Sequence, residues 1–389
     1  MRHTSRLAAL AGATVTVTVT VTVAALCLPA VAGADELGHG HGGSRAPVYV
    51  LTNDPAGNQV VTYVPDDHGT LHEVGRRDTG GLGTTISGAV VDPLASQGGL
   101  VAAPSEGLLV AVNGGSDTIS VFRASGSFVS TPRVVGSEGS TPVSVAVRGD
   151  VLYVLDAGGA GSIQGFFADS LAPIPGSHQS LGLTPNVAPL FLHTPGQIGF
   201  TPDGRHLVVT TKASGSAIDV FNVTPWGSVT GAPVVNRSAM PVPFGFTFDR
   251  SGRLAVTEAG TSALTTYAVA ADGTLSEQGS TATGAKALCW VATDGTFFFG
   301  ANAGSASVTT YTVGSTGTPA AVASTTTDAG PVDLAASPDG RSLYVETGSS
   351  DLVDSFAVQA DGSLVATGSV APELPGHVGL EGIAVGIAD

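Results

Sequence analysis

Polar side chains recur at one position of a repeating pattern in this chain, directly after the second apolar segment of each copy. They are Asp54, Asn113, Asp156 (after one inserted residue), Lys212, Glu258, Asn302 and Thr347. Carboxylates can act as general bases, and an amine can polarise a carbonyl group. Asn, Asp and Thr also cap turns at strand ends, which explains Asn113 and Thr347 well but Lys212 and Glu258 poorly. The spacing predicts a polar rim in which Lys212 and Glu258 could do chemistry.

A second set of positions falls on the first apolar segment of each copy and would line a central channel. Its members are Gly88, Ser144, Gln197, Gly245, Leu288, Asp333 and Glu381. The polar members, above all Gln197, Asp333 and Glu381, are candidates for contact with a ligand. The alternative is that Asp333 and Glu381 only hydrogen-bond to neighbouring backbone, and the sequence favours neither interpretation.

Histidines and short motifs add one further candidate. Of the eight histidines after residue 34, only His193 precedes a first segment at a place where a rim residue would lie. There is no Gly-x-Ser-x-Gly elbow, no His-Glu-x-x-His and no phosphate-binding glycine loop. His39 and His41 have no third ligand at suitable spacing, so we interpret their glycine-rich stretch as a linker. We therefore expect no metal and no cofactor.

The elements that would position these side chains come from an internal repeat. Residues 331–345 and 195–209 each consist of an apolar segment, a Pro-Asp-Gly-Arg turn and a second apolar segment. Proline fixes the first corner of such a turn, and glycine accepts the positive φ that follows. Weaker copies begin near Ile86, Pro142, Pro243 and Lys286. A period of about 45–55 residues with four short strands is typical of a propeller blade.

An aromatic column and the chain ends fix the number of copies. The third segments carry Tyr63, Phe122, Phe166, Phe221, Tyr267, Tyr311 and Phe356. The chain enters the repeat at residues 48–50, in a second-strand pattern, and leaves it at 380–385, in a first-strand pattern. These features predict an all-β, seven-bladed β-propeller with four-stranded blades, whose ring the C-terminal strand closes and thereby protects from edge pairing. A stacked β-solenoid is the alternative.

Charge and cysteine content exclude several classes of function. The chain has 15 Lys and Arg against 31 Asp and Glu, and two of the basic residues, Arg2 and Arg6, lie in the apolar leader. Such an acidic chain would be repelled by nucleic acid and by anionic membranes. Cys289 is the only cysteine after residue 34, so no internal disulfide can form. Its apolar neighbours predict a buried, unreactive thiol, and we expect a monomer.

The N-terminus reads as a secretory signal. Residues 1–34 combine a basic start, an apolar run and small residues suited to cleavage. We predict a signal peptide at 1–34, a flexible His/Gly linker at 35–46 and the propeller at 47–389, in a secreted, extracellular protein. A retained membrane anchor and a lipid attached at Cys27 are less favoured alternatives, because cleavage sites follow the run and bulky Leu26 precedes the cysteine.

The repeats, the aromatic column and Glu258 in Val256-Thr257-Glu258 resemble the seven-bladed lactonase propellers. That family includes 6-phosphogluconolactonase-like proteins and carboxymuconate-lactonising enzymes. The resemblance covers almost all of residues 47–389. It implies a His-x-His stretch where this chain has residues 194–196, with His193 one residue upstream. It also implies arginines where Phe244 and Ala303 stand, so Glu258 is the one family side chain retained.

The resemblance and its departures lead to competing functions. We expect a propeller that binds a small ligand, of the lactone, organic-acid or sugar type, at its central channel with weak or lost catalysis. The alternative is an active lactone or ester hydrolase in which Glu258 is the base and Lys212 or His193 polarises the carbonyl. A third hypothesis is an extracellular protein-interaction scaffold. The sequence does not decide whether the protein is an enzyme.

Overall fold

The computed structural model describes residues 46–184, 187–372 and 379–388. The predicted signal peptide and residues 35–45 of the linker lie outside these ranges. Among the described residues, no helix is long and apolar enough to cross a membrane.

Seven antiparallel sheets account for almost all regular structure in the described residues. The fold is the predicted seven-bladed propeller. Blade 1 combines Ile383–Val385 (β29) with Val48–Leu51 (β1), Gln59–Pro65 (β2) and Leu71–Asp78 (β3). Blade 2 contains Leu100–Ala103 (β4), Leu108–Asn113 (β5), Thr118–Ser125 (β6), Phe128–Val129 (β7) and Arg133–Gly136 (β8). Blade 3 contains Pro142–Arg148 (β9), Val151–Asp156 (β10), Ser162–Phe167 (β11) and Gln179–Ser180 (β12).

The remaining four blades follow in chain order. Blade 4 is Ile198–Phe200 (β13), His206–Thr210 (β14), Ala217–Val223 (β15) and Val229–Arg237 (β16). Blade 5 is Pro243–Phe248 (β17), Leu254–Glu258 (β18), Ala263–Val269 (β19) and Leu275–Ala282 (β20). Blade 6 is Leu288–Thr293 (β21), Phe298–Asn302 (β22), Ser307–Val313 (β23) and Pro319–Thr326 (β24). Blade 7 is Pro331–Ala336 (β25), Ser342–Thr347 (β26), Leu352–Val358 (β27) and Leu364–Val370 (β28). Short 3₁₀ turns lie at Leu190–Leu192 and Ala303–Ser305.

The aromatic column forms the buried spine of the blades. All seven aromatic residues lie on third strands and are at most 3% exposed. Each is paired with an apolar residue of the second strand, as Phe122 is with Leu109 and Tyr311 with Phe298. In several blades a β-bulge falls at the aromatic residue on the fourth-strand side, for example between Thr310 and Tyr311. The bulge increases the local twist, so the column also shapes the blade.

The Pro-Asp-Gly turns form as the sequence predicts. Gly204 and Gly340 both have φ of +70°, a conformation that glycine adopts without steric cost. Asp339 Oδ1 accepts a hydrogen bond from the Arg341 N–H at 3.2 Å, and Ser337 N–H donates to Ser342 O at 2.8 Å. These turns join first to second strands, so they lie on the face of the ring opposite the ends of the second strands.

The first strand of blade 2 is the place where the sequence prediction is wrong. The copy that we expected near Ile86 is not a strand, and the blade begins instead at Leu100–Ala103. Gly88 therefore lies in the connection between blades 1 and 2 rather than on an inner strand. Residues 79–99 form this unusually long connection. Their Ile-Ser-Gly-Ala-Val-Val stretch has strand-like composition, but most of it lies at the surface of the connection, and Val90 is 85% exposed.

The C-terminal strand closes the ring as predicted. Val48 pairs with Val385 and Val50 with Ile383 in antiparallel register. Leu51 N–H donates to Gly382 O at 2.9 Å, which extends the pairing beyond the regular strand. Ile383 is 4% exposed, whereas Ile387, four residues later, is 51% exposed.

We predict that Ile383→Ala lowers the free energy of unfolding by about 2–5 kcal/mol, because it leaves a cavity in the closing strand. Ile387→Ala is the matched control and should change it by less than about 0.5 kcal/mol. Urea unfolding followed by circular dichroism measures both. Equal effects of the two substitutions would contradict closure by this strand.

Candidate functional site

The seven polar rim residues lie on one face of the ring, within three residues of the end of a second strand. Most of them cap turns. Asp54 Oδ1 accepts a hydrogen bond from Ala56 N–H at 2.7 Å, and Asn302 Nδ2 donates to Thr309 Oγ1 at 2.9 Å. Asn113 Nδ2 donates to Ser120 Oγ at 2.8 Å, and Thr347 Oγ1 donates to Leu352 O at 3.2 Å. Their side chains hold the strand ends in place.

Lys212 is fully buried and its ammonium group is saturated with hydrogen bonds. Nζ donates to Ala95 O at 2.5 Å, to Phe191 O at 2.6 Å and to Thr194 Oγ1 at 2.8 Å. It also lies 5.2 Å from the centroid of the Phe244 ring. Burial lowers the pKa of Lys212 to about 7, and the nearby Asp92 carboxyl group opposes the shift. Three acceptors match the three N–H groups of the charged form.

The segment that Lys212 holds is a plug, formed by residues 92–97, which fills the upper end of the channel. Ser96 Oγ donates to Val143 O of blade 3 at 2.8 Å, and Ser96 O accepts from Trp290 Nε1 of blade 6 at 2.7 Å. Gln97 Nε2 donates to Val291 O at 2.9 Å. Leu94 N–H donates to Glu381 Oε2 at 3.1 Å. The plug therefore spans the channel between opposite blades, and all six of its residues are buried.

Four buried carboxyl groups surround the plug. Asp92 caps the plug itself, since it accepts hydrogen bonds from the N–H groups of residues 94–96 at 2.6–3.0 Å and is hydrogen-bonded to Glu381. Glu346 Oε2 accepts from Gly382 N–H at 3.0 Å, but Glu346 Oε1 has no partner. Burial raises the pKa of Asp333 to about 7 and the pKa values of Glu346 and Glu381 well above the usual range.

Glu258 lies in a separate network between blades 4 and 5. Its Oε1 accepts hydrogen bonds from Ser238 Oγ at 2.5 Å and from Tyr267 Oη at 2.8 Å. Its Oε2 is buried without a partner. Burial raises the pKa of Glu258 to about 7. The charged groups that perturb Lys212 are Asp92, Cys289 and Glu381, so the structure does not couple Glu258 to Lys212, although both lie on the same face.

The other predicted residues fall into three places. Gln197 Oε1 accepts from Phe246 N–H at 2.7 Å and so joins blades 4 and 5. Burial raises the pKa of Asp156 to about 7 beneath the loop before blade 3. His193 ends the 3₁₀ turn at Leu190–Leu192, where its backbone N–H donates to Leu190 O at 2.8 Å, and its Nδ1 is buried without a partner. His193 directly precedes Thr194, which contacts Lys212.

Cys289 faces the same cluster but is only partly buried as a residue. Its thiol is nevertheless enclosed, and burial raises its pKa to about 12, helped by the negative charge of Asp92. The predicted lack of reactivity is thus supported by the pKa, whereas complete burial of the residue is not observed.

Open space on this face lies beside the plug rather than in the channel. A cleft of about 540 Å³ is bounded by Thr84, Thr85, Ile86, Ser87, Thr141, Ala157, Gly158, Gly159, Leu190 and Thr194. None of these lining residues is charged, and five carry a hydroxyl group. Thr194 lines the cleft and also accepts the hydrogen bond from Lys212. Among the described residues, no group of three or more His, Cys, Asp or Glu side chains could hold a metal ion.

Sequence reasoning missed Asp92 and Glu346. Asp92 stands alone between Val91 and Pro93, and small residues that expose backbone N–H groups follow it. Glu346 interrupts the apolar second strand Ser342–Thr347, in which residues 343–347 are all buried. In both cases an acidic residue within an apolar run was the sequence feature that could have indicated a buried carboxyl group.

Comparison with known proteins supports the resemblance. Residues 277–378 match the family model described as "Lactonase, 7-bladed beta-propeller". Similar solved structures include a candidate 6-phosphogluconolactonase from Bacteroides fragilis, with a TM-score of 0.70, 17% identity and coverage of 88% of this chain and 98% of that one. The periplasmic gluconolactonase of Pseudomonas aeruginosa matches with a TM-score of 0.66 and 19% identity, and the match covers 85% of this chain and 97% of that one. No curated protein matches the sequence. The fold and the likeness to lactonase propellers are thus confirmed.

We predict that Lys212→Met lowers the free energy of unfolding by about 3–5 kcal/mol, because it leaves buried carboxyl groups and carbonyl oxygens without their cation. Lys286, the other lysine of the chain, is exposed, so Lys286→Met should cost less than about 0.5 kcal/mol. Urea unfolding of the two variants provides the comparison. A mild effect at Lys212 would mean that the plug is held by its other contacts.

Proposed function

We propose that this protein is a secreted, lactonase-like propeller that binds a small, neutral, hydroxyl-bearing ligand of the sugar-lactone type and does not turn it over. The observation that carries the proposal is the plug. Residues 92–97 occupy the channel, and both Lys212 and Glu258 are 0% exposed. An electrophilic group must reach the developing oxyanion, but every N–H of the Lys212 ammonium is already used by the protein.

The binding site that we propose is the hydroxyl-lined cleft beside the plug. Threonine and serine hydroxyl groups can both donate and accept hydrogen bonds, which suits a polyol or a sugar lactone. Ile86 and Leu190 add apolar surface for the face of a ring. The absence of charge among its described lining residues argues for a neutral ligand rather than a phosphorylated one. Export is supported by the leader at residues 1–34.

An active hydrolase is the second candidate, and one observation favours it. Burial raises the pKa of Glu258 to about 7, a value suited to a general base near neutral pH. In that case Glu258→Gln would slow hydrolysis by about 10²–10⁴-fold.

We predict that a panel of neutral sugar lactones and polyols contains a binder, measured by titration calorimetry, and that Ser87→Trp abolishes its binding by filling the cleft. Ser87 is exposed, so the fold should tolerate the substitution. Ser251→Trp is the matched control, since Ser251 lines a cleft on the opposite face and its replacement should leave affinity unchanged.

The same panel tests turnover. We expect lactone hydrolysis at the rate of buffer alone, for the wild type and for Glu258→Gln. Hydrolysis above that rate that Glu258→Gln abolishes would establish the hydrolase instead. Binding that survives Ser87→Trp would refute the cleft as the site.

A further inference from the structure

The plug is held in place by an unbalanced set of buried ionisable groups. Four carboxyl groups, those of Asp92, Asp333, Glu346 and Glu381, surround one amine, Lys212, and all five side chains are at most 5% exposed. These groups come from four separate parts of the chain: the plug, blade 4, blade 7 and the segment before β29. Four buried negative charges could not be offset by one cation, so the closed arrangement requires protons on some of the acids.

The hydrogen bonds show where those protons reside. The side chains of Asp92 and Glu381 act on each other's pKa, and two carboxyl groups this close together favour a proton held between them. Asp92 accepts three backbone N–H groups, an arrangement that favours its ionised form, so Glu381 is the member that carries the proton. Glu346 faces Asp333 and Asp92 with one oxygen unpartnered. The remaining neighbours, Cys289 and Tyr63, have pKa values raised by burial and remain neutral.

We propose that residues 92–97 are a proton-controlled latch, which closes the channel while Asp333, Glu346 and Glu381 hold protons and leaves it as rising pH removes them. The proposal concerns the channel rather than the ligand cleft, and the lack of turnover proposed above refers to the closed state. Release of the plug would expose the inner strands at the face that carries Lys212, and would free the one N–H group of that side chain that donates to Ala95 O, whereas its bonds to Phe191 O and Thr194 Oγ1 lie outside the plug.

The direction in which pH changes the closure of the channel follows from the pKa shifts of the buried acids. An acid whose pKa is raised in the closed state favours closure fully below its ordinary value, near 4, and this contribution is lost as pH rises through the raised pKa. For Asp333 the loss is complete near pH 7, and Glu346 and Glu381, whose pKa values burial raises well above the usual range, act in the same direction. Lys212, whose pKa is lowered to about 7, opposes release only above pH 7. Opening is therefore steepest between about pH 4 and 7.

The chain contains two natural reporters of the latch. Trp290 donates its indole N–H to Ser96 O of the plug and is 3% exposed, whereas Trp226, the other tryptophan, is 84% exposed. Trp226→Phe therefore leaves emission that reports on the plug. Cys289 lies close enough to Asp92 and Lys212 for both to act on the pKa of its thiol, and as the only cysteine after residue 34 it reports access to the channel through its rate of thiol labelling.

The experiment is a titration of Trp290 emission from pH 4 to 9 in the Trp226→Phe protein, with circular dichroism recorded in parallel. We expect a red shift with rising pH and unchanged β-sheet signal. The open-to-closed ratio should change about tenfold per pH unit for each proton released. Glu346→Gln should lower the pH dependence of the open-to-closed ratio by about one factor of ten per pH unit, because one titrating acid is lost. If Glu346→Gln does not fold, Glu381→Gln serves the same purpose.

Asp219→Asn is the matched control. Asp219 is also a buried acid, with a pKa raised to about 6 by burial alone, but it lies in β15 away from the plug. It should leave the slope unchanged. At a single pH near 7, Cys289 labelling should be about tenfold slower in Glu346→Gln than in Asp219→Asn. Equal slopes in the two variants, an emission invariant with pH, or loss of the β-sheet signal together with the red shift would overturn the latch.

Discussion

The pairing of the last strand with the first is the contact on which both the fold and the channel depend. It covers the inner edge of β1 in blade 1, and it also brings Glu381 and Gly382 to the inner wall of the ring. Gly382 N–H then meets Glu346, and Glu381 meets Asp92 of the plug. Closure and filling of the channel are thus one cooperative event, in which a C-terminal segment supplies the acid against which residues 92–97 pack.

The two faces of the ring differ in the length and regularity of the connections between their strands. On one face, short turns such as those at Gly204 and Gly340 join first to second strands with little variation. On the other face, the long connection at residues 79–99 and residues 187–197 before blade 4 converge on Lys212 through Ala95, Phe191 and Thr194. Variation in loops over a rigid blade scaffold is where propellers place binding, so the cleft between these two connections is the natural site for a ligand.

The regular part of this structure could be read from the sequence, and the irregular part could not. The aromatic column has a fixed partner in every blade, so its spacing predicted the blade number and the third strands. The first strand of blade 2 was misplaced because the stretch after Ile86 has a strand-like composition, although most of it lies at the surface of the connection between blades 1 and 2. The rim positions were placed on the right face, but burial of Lys212 depends on residues more than a hundred positions away. The role of Asp92 could not be predicted for the same reason, because its partner Glu381 is also distant in the sequence.

Lys212 shows why a polar residue at a rim position need not be available for catalysis. A lysine that polarises a carbonyl must have an N–H group free for substrate, whereas this one donates to two backbone carbonyl oxygens and one hydroxyl group. Phe244 stands where the lactonase resemblance implies an arginine, and its ring lies 5.2 Å from the same amine. The Lys212 amine is thus enclosed by protein in the closed structure. Catalysis at this amine would compete for three N–H groups, of which one holds the plug through Ala95 and two hold the connection before blade 4 through Phe191 and Thr194.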